Sequence, residues 1–143
     1  MNKEEDLKEA LISFKLAKFA VEKGFTTVIG LGHVSPRGNY YNSDGVLNGG
    51  VIKEIKSYLN NNKEFVTIGA PTQSLLQKWL REKHNIHIGI WNNASGYGYE
   101  LSKADNGTTI YESDYDGPND GGVWDTYEEV LEFALEQSLN LIK

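Results

Sequence analysis

Residues 70–91 read APTQSLLQKWLREKHNIHIGIW, and this stretch decides the fold. Pro71 lacks an N–H and holds Ala70 extended, so a helix can start just after it, with Thr72 as N-cap, but cannot run through it. Leu75, Leu76, Trp79 and Leu80 recur at helical spacing and predict a core-facing stripe, with Gln77, Lys78, Arg81 and Glu82 turned away. Asn85 tolerates the left-handed conformation that ends a helix. Beyond it the period drops from roughly 3.6 residues to roughly 2. Ile86, Ile88 and Ile90 alternate with His87, Gly89 and Trp91. That alternation predicts a strand with one aliphatic side, and His87 and Trp91 on the other, around a glycine that admits close approach.

Upstream, Glu64 to Ile68 is β-rich and leads directly into the helix, so residues 65–91 suggest a β-α-β unit with a right-handed crossover. Glu4 to Lys23 has helical periodicity ended by Gly24, and the helix either runs unbroken or restarts at Ser13 as a new N-cap. Thr26 to Ile29 reads as a strand, with His33 at the end of the GLGH segment that follows. Tyr40 and Tyr41 read as a strand running into the Asn42-Ser43-Asp44-Gly45 turn, and Gly49-Gly50 as a break. The spacing of Ile52, Ile55, Tyr58 and Leu59 suggests a short helix from about Val51 to Leu59.

Downstream, two β-rich runs flank Ala104-Asp105-Asn106-Gly107, a hairpin signal. A four-residue loop is preferred, because it pairs Leu101 with Ile110 and keeps Glu100 and Glu112 from facing each other. Asp114 to Asp125 has no periodicity, and loops of that length are uncommon in compact domains unless mobile or functional. Thr126 and Glu129 form a capping box that opens a closing helix. Its predicted buried face carries Tyr127, Val130, Leu131, Ala134, Leu135, Ser138, Leu139 and Ile142. The expectation is one α+β domain over residues 1–143, an antiparallel or mixed sheet packed against an N-terminal, a central and a C-terminal helix.

The absence of cysteine removes disulfides, thiol nucleophiles and zinc-thiolate clusters. No apolar run approaches the length of a membrane span, and Met1 to Glu9 is too charged for a signal peptide, so a cytoplasmic protein with no membrane partner is expected. The net charge of -6 is concentrated at one end, because residues 104–142 contain no lysine or arginine. Direct nucleic-acid binding is disfavoured by such a surface. Asp114, Asp116, Asp120, Glu128, Glu132 and Glu136 are candidates for an acidic partner-binding surface. The last three stack at i,i+4, an arrangement that calls either for lysines of the first segment or for a basic partner.

His84 and His87 fall on a helix and a strand, which denies them the spacing of a helical zinc site, and the aspartates of 114–120 lack the calcium-loop pattern. No metal and no cofactor is expected. Ser35, Ser74 and His33 are isolated, with no motif joining nucleophile to base, so the reading leans away from an enzyme and assigns no catalytic residue. His87, Trp91, Tyr97, Tyr99, Tyr111 and Trp124 are candidates to line a ligand pocket or a protein-contact patch. Core packing accounts poorly for Trp91 and Trp124.

SFKLAKFAVEKGF from Ser13, APTQSLLQKWLREKHNIHI from Ala70 and TYEEVLEFALEQSLNLI from Thr126 resemble three blocks of a family of small uncharacterised proteins of gut Bacteroidota and their phages and prophages. The resemblance implies a phage-linked accessory protein of unknown activity, made in the host cytoplasm or carried in the virion. Three readings follow. The first is a non-enzymatic module that binds a protein partner or its own copies. The second is a small-ligand binder that sequesters a nucleotide signal, and the third an acidic nucleic-acid mimic that inhibits a host protein.

Overall fold

The computed structural model describes residues 9–25, 37–42, 44–51, 58–59, 65–113 and 115–143. Among these residues there are three helices and seven strands, and both sheets are antiparallel, so the protein is α+β. The elements are α1 (Phe14–Glu22), β1 (Arg37–Asn42), β2 (Leu47–Val51), β3 (Tyr58–Leu59), β4 (Phe65–Gly69), α2 (Gln73–His84), β5 (Ile86–Asn93), β6 (Gly96–Lys103), β7 (Thr109–Glu112) and α3 (Tyr127–Asn140). They fall into two compact units, one spanning Leu11–Thr72 and the other comprising Gln73–Lys143 with the segment that ends at Ala10.

In the Leu11–Thr72 unit α1 is capped by Ser13, whose side chain accepts from the Leu16 N–H at 3.1 Å. The unbroken helix from Glu4 is ruled out because Leu11 bridges Thr72 and the Ile12 N–H donates to the Pro71 carbonyl at 3.0 Å, which holds this backbone extended. Gly24, with φ +100°, ends the helix as expected. The sheet order is β2-β1-β4-β3. The predicted turn joins β1 to β2, with the Asn42 side chain accepting from the N–H groups of Asp44 and Val46.

Two expectations fail in this unit. Gly49 and Gly50 do not break the chain; they pair with Asn39 and Gly38 inside β2, because a backbone ladder needs no side chain. The helix expected from about Val51 to Leu59 does not reach its ends, Val51 closing β2 and Tyr58–Leu59 forming β3 against β4, and residues 52–57 lie outside the described residues. The strand read at Thr26 to Ile29 and His33 lie outside the described residues. The β-α-β crossover is also overturned, since β4 pairs with β1 and β3 whereas β5 belongs to the other sheet.

The Gln73–Lys143 unit has sheet order β5-β6-β7. Helix α3 packs on β5 and β6, and α2 packs on β5 and α3. Asn85, with φ 58°, ends α2 and sends the chain back as β5. The α2 stripe is rotated from its expected place: Gln73, Leu76 and Leu80 are buried, while Leu75 is exposed. Gln73 belongs inside because its amide donates to the Glu128 carbonyl at 2.9 Å and lies 3.4 Å from Glu132 Oε1, tying α2 to α3. Gln77 is turned toward the sheet and not away from it, and donates to the Ile88 carbonyl at 3.3 Å. On α3, Val130, Leu131, Ala134, Leu135, Ser138 and Leu139 are buried as expected, and Tyr127 is exposed. Ser138, fully buried, donates to the Ala134 carbonyl at 2.8 Å, which satisfies its hydroxyl.

The hairpin loop has four residues, with the Lys103 N–H donating to the Thr108 carbonyl at 2.8 Å. Its register nevertheless differs from expectation: Leu101 opposes Tyr111, and Glu100 opposes Glu112. A bulge at Ile110 places two residues of β7 against one of β6 and shifts every pair beyond it by one.

Candidate functional site

The pairing of β5 with β6 assigns every side chain of this sheet to a face. Ile86, Ile88 and Ile90 pair with Lys103, Leu101 and Tyr99, so Tyr99 shares the helix-covered face with the isoleucines. Tyr97 lies on that face opposite Asn92, and Tyr111 joins it opposite Leu101. The other face carries His87, Gly89 and Trp91, with Gly98, Glu100 and Ser102 as neighbours. On this face His87 and Trp91 are exposed, whereas Gly98 and Ser102 are buried.

The six aromatic and histidine candidates therefore divide between two faces. On the covered face, Tyr99 has no exposed surface, and its ring lies 5.8 Å from Tyr111, 5.9 Å from Trp124 and 5.9 Å from Phe133. Trp124 is core, contrary to the reading that packing accounts for it poorly. It is 6 % exposed, and its N–H and C=O exchange hydrogen bonds with Tyr97 at 2.9 Å, docking the loop onto β6 where β7 has not yet begun to pair. Phe133, 5.0 Å from Trp124, completes the cluster, and its helical spacing from Val130 was the available signal. Tyr97 is half-buried and meets Tyr127 edge-on at 6.4 Å.

The irregular segment after β7 is tightly built. Gly117 and Gly122 are bonded N–H to C=O at 2.8 Å, the Asn119 N–H donates to the Val123 carbonyl at 3.1 Å, and the Asn119 amide donates to Asp125 at 2.6 Å. Tyr115 adopts φ 61°, a left-handed conformation uncommon outside glycine, and its side chain is 77 % exposed. Asp116 accepts from the Tyr111 hydroxyl and lies 3.4 Å from the Tyr99 hydroxyl. Burial pushes the Tyr99 phenol well above the ordinary tyrosine range, and the neighbouring Asp116 carboxylate and Tyr111 add to the shift.

The acidic candidates are also dispersed in role. Asp116 is engaged with the two tyrosines, and Asp120 is exposed. Asp114 lies outside the described residues. Glu132 is half-buried beside Gln73, Glu136 is half-buried, and Glu128 is exposed. Of the first-segment lysines, Lys18 lies over the Phe14 ring at 4.5 Å and Lys23 over Phe19 at 5.6 Å. No group of three or more His, Asp or Glu side chains placed to hold a metal ion occurs among the described residues.

No helix among the described residues is long and apolar enough to cross a membrane. No family model, curated protein or solved structure matches the chain.

The sheet face away from α3 centres on Trp91. Its ring lies across Gly98, where a Cβ would overlap it, so glycine at 98 is what allows the indole to lie flat on the sheet. At Gly89, the next pair along this face, an added Cβ would meet the Glu100 carbonyl at 4.0 Å, ordinary van der Waals contact, among the described residues. The result is a flat indole beside a glycine, flanked by His87. Such a surface can contact another chain through apolar area and backbone approach.

Proposed function

We propose that the protein is a non-enzymatic protein-binding module, phage-linked through the family it resembles, and that it engages its partner with the face of the three-stranded sheet that carries Trp91. The observation that carries this reading is the division of the aromatic residues. Tyr99 and Trp124 are consumed by the core, and Trp91 is left 37 % exposed on the other face of the sheet. An exposed indole on a rigid strand, held by a glycine beneath it, is the kind of preformed anchor that dominates protein interfaces.

The test is recovery of the tagged protein from its own host, with a native mass spectrum of the eluate. The expected result is a defined assembly, either a multiple of the 16.0 kDa chain or the chain with a second protein, and its loss in Trp91→Ala with the melting temperature preserved. A bare 16.0 kDa chain carrying a small molecule would overturn this reading and favour sequestration of a ligand.

A further inference from the structure

The bulge at Ile110 sets two carboxylates face to face on the side of the sheet that carries Trp91. Glu100 of β6 stands directly opposite Glu112 of β7. The Ser113 N–H donates to the Tyr99 carbonyl at 2.9 Å, so Tyr99 is a hydrogen-bonded position toward β7 and the next pair, Glu100 with Glu112, is a non-hydrogen-bonded one. That is the closer of the two cross-strand spacings, and like charges placed there destabilise a sheet. The Thr109 hydroxyl donates to Glu100 Oε1 at 3.1 Å, and neither carboxylate has a basic partner among the described residues. Strand β7 cannot supply one, since residues 104–142 contain no lysine or arginine.

Two further groups on this face flank Glu100 along β6. On one side is Gly98, with the Trp91 ring across it. On the other is Ser102, which stands between His87 and Thr109 and is 7 % exposed. The Ser102 hydroxyl has no hydrogen-bond partner among the described residues. A buried hydroxyl left in that state costs free energy, which a ligand's donor or acceptor would offset. Indole, paired carboxylates and orphan hydroxyl all lie within the Gln73–Lys143 unit.

Building on the protein-binding reading, we propose that the partner presents an arginine to this face, its guanidinium lying on the outer side of the Trp91 indole and bridging Glu100 and Glu112. Charge complementarity selects the occupant. A neutral or acidic contact leaves the two carboxylates repelling each other, whereas a cation between them turns the repulsion into attraction. The guanidinium fits this set better than an ammonium does, because it is planar against the indole and carries five N–H donors for two carboxylates and the Ser102 hydroxyl. Thr109 holds Glu100 Oε1 and leaves Oε2 to the incoming group. A metal ion is a poorer occupant, since no three His, Asp or Glu side chains are placed to hold one among the described residues.

The test titrates the full chain with N-acetyl-arginine amide and follows its amide and indole N–H resonances. Saturable shifts are expected at Trp91, Gly98, Glu100, Ser102 and Glu112. The citrulline amide, which keeps the shape and loses the charge, is expected to bind at least about threefold more weakly, and Glu112→Gln to weaken the arginine amide by a similar factor. Glu112→Gln removes the like-charge pair and Ser102→Ala the orphan hydroxyl, so both chains are expected to melt no lower than the wild type, which separates lost binding from lost fold. No saturable shift, equal binding of the citrulline or lysine amide, or binding unchanged in Glu112→Gln would each overturn the arginine assignment. Any of these leaves the protein-binding reading standing, with Trp91 as an apolar anchor. Recovery of the bare chain from its host is the separate result that overturns the broader reading.

Discussion

The Tyr99 hydroxyl lies 3.4 Å from an Asp116 carboxylate oxygen that also accepts the Tyr111 hydroxyl, so one carboxylate in an irregular loop serves two phenols on adjacent strands. This places the polar tip of a fully buried ring at the seam between sheet and loop. Asp116→Ala leaves that hydroxyl buried and short of its acceptor, which is expected to cost about 1–3 kcal/mol of unfolding free energy by denaturant titration. Tyr99→Phe removes the need for the acceptor and is expected to cost about 1 kcal/mol. The double variant should therefore lose less than the sum of the two.

The same phenol predicts a pH dependence. Its folded pKa is raised by burial first and by Asp116 second, so the folded state holds the proton more tightly than the unfolded chain does. The associated stability is fully present below the unfolded tyrosine value of about 10 and is lost as pH rises beyond it. Thermal melts above that value should fall more steeply for the wild type than for Tyr99→Phe. Equal slopes would show that Tyr99 does not carry the alkaline loss.

Two glycines with the same sign of φ separate backbone strain from crowding. Gly107 has φ +77° with nothing near its missing Cβ, and Gly122 has φ +71° with a Cβ position that overlaps the Tyr115 backbone. Gly107→Ala is expected to cost about 1–2 kcal/mol, the left-handed penalty alone. Gly122→Ala should cost clearly more and release the loop that docks Trp124. Trp124 fluorescence, read in a chain with its other tryptophans replaced, reports that release.

Removal of the Gln73 amide should loosen α2 from α3. Gln73→Ala leaves the Glu128 carbonyl without that donor and opens a small cavity, for an expected loss of about 1–3 kcal/mol. Leu75→Ala, one turn-face away and exposed, is expected to change stability by less than about 0.5 kcal/mol. Equal losses at the two positions would place the buried stripe where the leucine spacing alone had put it.

Much of the local structure was legible from residue types. The end of α1 at Gly24, the end of α2 at Asn85, the turn after Asn42, the four-residue hairpin loop and the Thr126 cap, which accepts the Glu129 N–H at 3.1 Å, each depend on residues within one turn of the position read. The α2 face was misread because Leu75 advertises burial more loudly than Gln73, whose partners are on another helix. The candidate site was half legible. Alternation along β5 put Trp91 on the side away from the isoleucines, but nothing around Trp124 disclosed that Tyr97 would draw its backbone onto β6.

The sequence by itself determined the ends of α1 and α2, the start of α3, the Asn42 and hairpin turns, and which side of β5 is aliphatic, because these follow from steric and hydrogen-bonding preferences acting over a few residues. Tertiary structure alone decided that β4 and β5 belong to different sheets, that Ile110 bulges and brings Glu100 opposite Glu112, and that Tyr99 and Trp124 are core while Trp91 is surface. Pairing and burial are contests between chain-distant surfaces for the same edge or the same apolar volume. A strand's own residues state what it can bury, and its neighbours decide what it does.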